Sequence, residues 1–162
     1  MAEKKKKKRK KKKRRSATEI GWREIIGLPD LGIPRFRAKI DTGARTSALH
    51  ATNLKLIDSN GATRVQFHVP VPGTPRTTRC TCPLVDRRAI KNTSGEPEER
   101  YIIRTTLVLG SRRWPIEVSL ADREKMGFDL ILGRTAVRGR RILVNPGRSY
   151  LAGMPATSKE ET

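Results

Sequence analysis

The segment Ala38-Lys39-Ile40-Asp41-Thr42-Gly43-Ala44 decides the fold of this chain. Apolar and basic residues alternate from Arg35 to Ile40, and this period of two predicts a half-buried strand that delivers Asp41 into a tight turn. A second apolar run, Leu130-Ile131-Leu132-Gly133, ends in glycine and predicts a buried strand. The chain is therefore expected to hold an aspartate turn against a distant strand.

An Asp-Thr-Gly turn at the end of a strand, with a later strand closed by glycine, is the pairing that aspartic peptidases use. Their chemistry needs two carboxyl groups, and at a separation of about 3 Å both cannot ionise. One carboxyl stays protonated and acts as the acid, while the other activates a water molecule. In such a pair the Thr42 hydroxyl would help to hold the carboxyls coplanar, and Gly43 would permit the sharp turn and close approach.

The chain contains a single Asp-Thr-Gly, and no internal repeat supplies another. A second Asp41 must then come from a second copy of the chain, which predicts a two-fold homodimer with the site on its axis. The tripeptide alone is also common in ordinary strand turns. The preceding alternating strand and the later Leu-Ile-Leu-Gly-Arg favour the peptidase interpretation.

The N-terminus carries an unbroken basic run, Lys4 to Arg15, in a chain of 162 residues with a formal charge of +20. Without residues 1–15, 24 basic and 15 acidic residues remain, a formal charge of +9. A block of like charges is expected to be disordered. It predicts either an electrostatic anchor to RNA, the ribosome or another polyanion, or a solubilising tail without a dedicated partner.

No apolar run resembles a signal peptide or a membrane span. We therefore expect a cytoplasmic protein with no integral membrane association. Three parts are predicted: a disordered tail over 1–15, one domain over 16–151, and a polar tail over 152–162.

Many short strands predict an all-β fold, a small barrel or a closed, twisted sheet with few helical stretches. Asn60-Gly61 predicts a type I′ hairpin turn. Further expectations are a first strand over 16–28, a strand from Ala48 through Leu56, a strand-like segment from Cys80 to Ile90, a helical turn over Asp122–Met126, and a short helix over Arg134–Val137.

Several longer motifs resemble a bacterial and archaeal retropepsin-like family, whose members often carry the label "ATP-dependent zinc protease". The motifs are Ile20 to Glu24, Ala38 to His50, Pro83 to Arg88, Arg100 to Ile103, Met126 to Phe128, Leu132 to Ala136 and Asn145 to Tyr150. The resemblance covers residues 20–151 and implies a pepsin-like closed barrel, a homodimer and a catalytic Asp41. Thr42, Gly43, Ala44, Gly133 and Arg134 would support the active-site turn. Some members are linked to ATP-grasp glutamate ligases that modify a ribosomal protein.

One position departs from retroviral proteases, which place an acidic residue after Asp-Thr-Gly-Ala to pair with the later arginine. Here that position is Arg45, so Arg134 needs another partner, and Asp86 and Asp129 are the candidates.

The segment Asp86-Arg87-Arg88 lies where a retropepsin flap would be, with its tip at residues 92–95. Arg87, Arg88 and Lys91 are candidates to contact an acidic substrate, a polyglutamate tail being one option; a solvated flap surface is the alternative. Tyr101 would cover the site or simply pack against the body.

The sequence gives little support to a zinc site or an ATP-binding site. The soft ligands are His50, His68, Cys80 and Cys82, without a His-Glu-x-x-His, and no glycine loop for phosphates is present. We therefore expect no metal or cofactor.

The leading hypothesis is an aspartic endopeptidase acting on protein or peptide. The alternatives are a non-catalytic module tethered to RNA or the ribosome, and a zinc-dependent peptidase.

Overall fold

The computed structural model describes residues 16–92 and 94–156, which form twelve strands, one 3₁₀ turn and one short α-helix. The strands are β1 (Thr18–Gly21), β2 (Arg23–Leu28), β3 (Ile33–Asp41), β4 (Ser47–His50), β5 (Thr52–Ser59), β6 (Ala62–Pro70), β7 (Thr77–Pro83), β8 (Asp86–Lys91), β9 (Pro97–Leu109), β10 (Arg112–Ala121), β11 (Leu130–Gly133) and β12 (Ile142–Asn145). The 3₁₀ turn covers Pro29–Leu31, and helix α1 covers Arg134–Val137.

Six strands close into a ring in the order β10-β4-β11-β3-β2-β9, because β9 also pairs with β10. β11 runs parallel to β3, and β10 runs parallel to β4. β8 extends from β9 as a hairpin, β5-β6-β7 form a separate three-stranded sheet, and β1 pairs in parallel with β12. The predicted all-β class, the small closed barrel and the short helix α1 are confirmed.

The barrel interior is filled by the apolar residues that the alternation marked. Phe36, Ala38 and Ile40 of β3 are buried while the basic residues between them are exposed, and all four residues of β11 are buried. In the three-stranded sheet, β6 buries every second residue in the same way. The hairpin between β5 and β6 turns through Asn60 at φ 52° and Gly61 at φ 79°, the two positive values of a type I′ turn.

The predicted first strand over 16–28 is wrong, because it is two strands divided at Trp22. The Trp22 N–H donates to the Arg148 carbonyl at 2.9 Å, and the Trp22 carbonyl accepts from the Ile40 N–H at 2.7 Å. β1 therefore pairs outside the barrel with β12, while β2 joins the ring.

Two other predicted continuous segments change partners midway. The segment from Cys80 to Ile90 is β7 and β8 in different sheets, since the Leu84 N–H donates to Thr63 and the Val85 N–H to Ile102. The stretch from Ala48 to Leu56 is likewise β4 and β5, which belong to different sheets. In each case a local apolar pattern was continuous and the tertiary pairing was not.

The predicted helical turn over Asp122–Met126 is also wrong. The Arg123 N–H donates to His50 Nδ1 at 2.7 Å, and the Glu124 N–H donates to the Asp122 carboxylate at 3.1 Å. A single bond from the Met126 N–H to the Arg123 carbonyl closes a turn, and Gly127 at φ 32° ends it. Within the described residues no helix is long and apolar enough to cross a membrane.

The predictions for residues 1–15, for Thr93 at the hairpin tip and for residues 157–162 lie outside the described residues. Residues 152–156 were assigned to a polar tail, and they contact the body. The Ala152 N–H donates to Glu24, the Ala156 N–H donates to the Gly110 carbonyl at 2.8 Å, and Pro155 is buried.

Glu24 joins the two ends of the described chain. Its fully buried carboxylate accepts N–H groups from Gly21 at 2.7 Å, Leu151 at 2.9 Å and Ala152 at 3.0 Å. Three main-chain donors favour a buried carboxylate that would otherwise lose its hydration. The same segments touch at Gly21, where a Cβ would lie 2.4 Å from the Arg148 carbonyl oxygen.

We expect Glu24→Gln to lower the free energy of unfolding by about 1–3 kcal/mol, because one acceptor oxygen becomes an NH₂ that faces buried donors. Urea unfolding followed by circular dichroism measures this. Glu19→Gln is the matched control, because exposed Glu19 accepts one bond from Asn145 through an oxygen that glutamine keeps. Equal stability of the two variants would contradict the role assigned to Glu24.

Candidate active site

Asp41 ends β3 on a half-exposed turn whose geometry is set by its own main chain. The parallel register of β3 and β11 places Gly133 beside Asp41. Asp41 Oδ1 accepts the Gly43 N–H at 3.1 Å, and the Asp41 carbonyl accepts the Ala44 N–H at 3.1 Å. Thr42 and Gly43 are exposed. The carboxylate is thus held in place and open to solvent.

The start of α1 clamps the far side of this turn. The Arg134 N–H donates to the Ala44 carbonyl at 2.8 Å, and Arg134 Nη1 donates to the Gly43 carbonyl at 3.2 Å. The Thr135 hydroxyl donates to the Arg45 carbonyl at 2.7 Å. Three consecutive carbonyls of the turn therefore bind one short segment of chain.

Gly133 makes this clamp possible because its main chain touches the turn directly. A Cβ there would lie 2.7 Å from the Thr46 carbonyl carbon and 2.9 Å from the Ala44 oxygen. The Gly133 N–H donates to the buried Ser47 hydroxyl at 3.0 Å, and the Ser119 hydroxyl donates to the Ser47 carbonyl at 3.0 Å. The sequence analysis did not single out Ser47 or Ser119, although Ser47 directly follows the turn.

Neither carboxylate suggested for Arg134 forms an ion pair with it in the described part of the chain. The guanidinium binds the Gly43 carbonyl instead. Asp86 bonds to Arg88 Nε at 2.8 Å and to the Arg87 N–H at 2.7 Å, and these bonds lower the pKa of Asp86. The proposed partners were therefore wrong, and a main-chain oxygen takes their place.

The turn opens into a cleft of about 1290 Å³ between the barrel and the β8–β9 hairpin. Two acidic side chains line it, Asp41 and Glu117. Eight basic side chains line the same cleft: Lys39, Arg45, Arg88, Lys91, Arg100, Arg104, Arg123 and Arg134. The space around Asp41 is strongly positive.

The β8–β9 hairpin contains the segment that was expected to form a flap, and Arg88 ties this hairpin to the barrel. Arg88 Nη2 contacts Glu117 of β10 at 2.9 Å, and its pKa is raised by hydrogen bonds to Asp86 and then Glu117. Of the predicted flap residues, Arg88 and Lys91 line the cleft, whereas Asp86, Arg87 and Tyr101 are not among its lining residues. Arg87 lies over the Tyr101 ring at 5.5 Å, and Tyr101 packs against the core.

Two partly buried arginines of the cleft, Arg100 and Arg123, were not among the predicted site residues. Arg100 has a side chain 14% exposed and an ion pair with Glu98 at 3.4 Å, yet its buried Nε has no hydrogen-bond partner. The pKa of Arg123 is lowered by burial and then by the charge of Arg100, while Asp41 and Asp129 oppose the shift. Arg100 lies on β9 and Arg123 in the loop after β10, so only the fold shows that both line the cleft.

The soft ligands do not form a zinc site. Burial raises the pKa of Cys80 and, with the neighbouring thiol, raises the pKa of Cys82 to about 11, which disfavours the thiolates that bind zinc. His68 bonds to Thr77, and His50 accepts the Arg123 N–H. No group of three or more such ligands meets among the described residues, so this donor set does not fit the metal of the family label.

A closed barrel with an Asp-Thr-Gly turn seated on a glycine strand defines a retropepsin-like fold. The chain belongs to the RimB-like family, whose model, described as retropepsin-like aspartic endopeptidase RimB, matches residues 19–155.

Relatives named "Probable alpha-L-glutamate ligase" include proteins from Desulfotalea psychrophila, 40% identical over 152 residues, and Parasynechococcus marenigrum, 41% identical over 136 residues. These alignments cover 88% and 83% of this chain but 32% and 29% of the relatives. The chain thus spans about a third of the length of the curated relatives it matches.

A solved structure shares the fold. It is the crystal structure of Lpg0085, a protein of unknown function from Legionella pneumophila, with a TM-score of 0.72 and 26% identity. The match covers 85% of this chain and 99% of that one.

We expect Gly133→Ala to destabilise the protein by about 1–3 kcal/mol, because the new methyl group would meet main-chain atoms that cannot move aside without breaking the clamp. Urea unfolding measures the loss. Gly147→Ala is the control, since its Cβ would meet the Asn145 side-chain oxygen at an ordinary 3.4 Å. If both variants unfold like the unmodified protein, the contact does not constrain the turn.

Proposed function

We propose that the protein is a homodimeric aspartic endopeptidase in which two copies of Asp41 share one site. The observation that carries the proposal is the position of Asp41, half-exposed on a clamped Asp-Thr-Gly turn that lines a cleft beside the β8–β9 hairpin. The family match supports the same chemistry.

A second copy is needed because one chain offers one suitable carboxylate. The other acidic residue lining the cleft, Glu117, is held by Arg88. The exposed Thr42 and Gly43 would meet their counterparts across a two-fold axis, as an isologous interface requires. In the dimer one Asp41 carboxylate removes a proton from water, and the protonated partner donates a hydrogen bond to the peptide carbonyl.

The charge of the cleft supports an acidic substrate, with glutamate-rich peptides as the leading candidate. Eight basic and two acidic side chains line the space where a peptide would lie. Arg100 lines this space, and its guanidinium would give a substrate carboxylate a charge-assisted hydrogen bond. Relatives that share this segment are named for joining glutamate, which fits the same class of peptide.

We expect Asp41→Asn to reduce cleavage of glutamate-rich peptides by about 10³-fold or more, because the amide cannot take a proton from water. Peptide cleavage followed by mass spectrometry measures this, with and without chelator. Asp58→Asn, in the exposed β5–β6 hairpin, is the matched control.

The shared site has its own test. After subunit exchange between equal amounts of Asp41→Asn and unmodified protein, the activity should be about a quarter of that of unmodified protein at the same total concentration, because only dimers with two aspartates work. Half the activity would exclude a shared site. If unmodified dimers cleave nothing, the non-catalytic module becomes the better proposal, and chelator-sensitive cleavage would favour a zinc peptidase.

We expect Arg100→Gln to raise the KM for a glutamate-rich peptide about tenfold, because a charge-assisted hydrogen bond is lost. The same substitution should change the KM little for a peptide that has glutamine at the same positions. Arg79→Gln removes the same charge from exposed β7, outside the residues that line the cleft. Equal effects of both substitutions would indicate general electrostatic attraction rather than a specific contact.

We further propose a cytoplasmic location, a domain that begins at residue 16, and an RNA, ribosome or other polyanion partner for the run Lys4 to Arg15.

A further inference from the structure

A loop that borders the cleft, residues 122–129, is held at its base by strand β4. The loop connects β10 to β11, and both of these strands pair with β4. The Ala51 N–H donates to the Ala121 carbonyl at 3.0 Å, and the His50 N–H donates to the Asp129 carbonyl at 2.6 Å. Both ends of the loop are therefore fastened to the end of β4.

His50 makes a further bond to this loop through its side chain. The residue is 6% exposed, and its Nδ1 accepts the Arg123 N–H at 2.7 Å. An imidazole nitrogen that accepts a hydrogen bond carries no proton, so this contact requires the neutral ring with its proton on Nε2. The buried ring thus fixes the main chain of Arg123, and with it the direction in which the Arg123 side chain leaves the loop.

The far end of the loop fixes the Arg123 side chain. Arg123 Nε donates to the Phe128 carbonyl at 3.2 Å. The Phe128 ring meets the Trp22 ring edge-on, with centroids 5.9 Å apart, and the Arg37 guanidinium lies 4.3 Å from the Phe128 centroid. Arg37 also donates to the Gly127 carbonyl at 3.1 Å. Arg123 therefore has two supports, one at its main chain and one at its Nε.

The charges of the cleft act on the Arg123 guanidinium. Arg123 lines the cleft together with Asp41 and Arg100. Burial and then the Arg100 charge lower the pKa of Arg123, while Asp41 and Asp129 oppose the shift. Within the described part of the chain, Nε makes the only side-chain hydrogen bond of Arg123. Its two terminal amino groups therefore remain for a carboxylate that enters the cleft, and that negative charge would offset the repulsion from Arg100.

We infer that Arg123 binds a carboxylate of the peptide substrate and that His50 is the positioning residue that directs Arg123 toward it. This role rests on the proposed function, which supplies a glutamate-rich peptide as the substrate. β4 is a buried strand of four residues, and it carries a support at each end. Ser47 at its start accepts the Gly133 N–H beside the Asp41 turn. His50 at its end accepts the N–H of Arg123, so one short strand connects the support of the carboxylate with that of the guanidinium.

Peptide binding tests the role of Arg123 separately from catalysis. We measure the Kd of a fluorescein-labelled glutamate-rich peptide, and of its glutamine counterpart, by fluorescence anisotropy with Asp41→Asn as the host protein. Adding Arg123→Gln should weaken binding of the glutamate peptide about tenfold, because a charge-assisted hydrogen bond is lost. Binding of the glutamine peptide should change little. Lys125→Gln is the matched control, since it removes the same charge from an exposed position of the same loop, outside the residues that line the cleft.

Two substitutions of His50 distinguish its Nδ1 contact from a merely structural role. Asparagine places its amide oxygen close to the position of Nδ1 and can still accept the Arg123 N–H, whereas glutamine places its amide near the position of Nε2. His50→Asn should therefore bind the glutamate peptide nearly as the host does, and His50→Gln should weaken binding about tenfold, as Arg123→Gln does. When Arg123→Gln is already present, His50→Gln should add little, because both changes remove the same interaction.

Three outcomes would overturn the inference. They are equal losses for Arg123→Gln and Lys125→Gln, equal binding by His50→Asn and His50→Gln, and losses that multiply when His50→Gln is combined with Arg123→Gln. Failure of the proposed function would look different. If the unmodified protein binds the glutamate peptide through Arg123 and cleaves nothing, the inference holds and the peptidase proposal fails.

Discussion

The candidate site depends on one close contact between main-chain atoms, where Gly133 lies against residues 44–46 without room for a Cβ. Because the strands touch this closely, the N–H of Arg134 and the hydroxyl of Thr135 reach carbonyls of the Asp41 turn. The position of the carboxylate is therefore set by backbone packing. Side chains around the turn can differ in charge without moving it, which explains how Arg45 stands where retroviral proteases carry an acid.

Charge in this protein is concentrated where it costs stability. Arg100 and Arg123 repel each other in a partly desolvated cleft, and burial already lowers the pKa of Arg123. Such local conflict is typical of functional sites, where the rest of the fold offsets a local loss of stability. The apolar interior of the barrel and the main-chain bonds to Glu24 provide that support without involving the cleft. The structural and functional parts of the molecule are thus largely separate.

The sequence predicted those features that local chemistry determines. The alternation in β3, the Asn60-Gly61 turn and the helix after Gly133 each depend on a few neighbouring residues, and each was found. The break at Leu84 and Val85 was missed because apolar neighbours look like one strand, while their hydrogen bonds go to different sheets. Arg134 was expected to need a carboxylate, because charge pairing is easier to infer from sequence than a bond to a carbonyl. The basic lining of the cleft combines residues of β3, β8, β9, α1 and two loops, so it required the structure.

The clamp on the Asp41 turn has a consequence for how the protein is made. Gly43 and its partner Arg134 are 91 residues apart, and β1 pairs with β12 across almost the whole body. Contacts of such long range form late, since a large loop must close before they contribute any stability. A chain still growing on the ribosome has its Asp-Thr-Gly long before it has the glycine strand that positions it. The order of synthesis therefore leaves the Asp41 turn unformed until the strand that ends in Gly133 has been made.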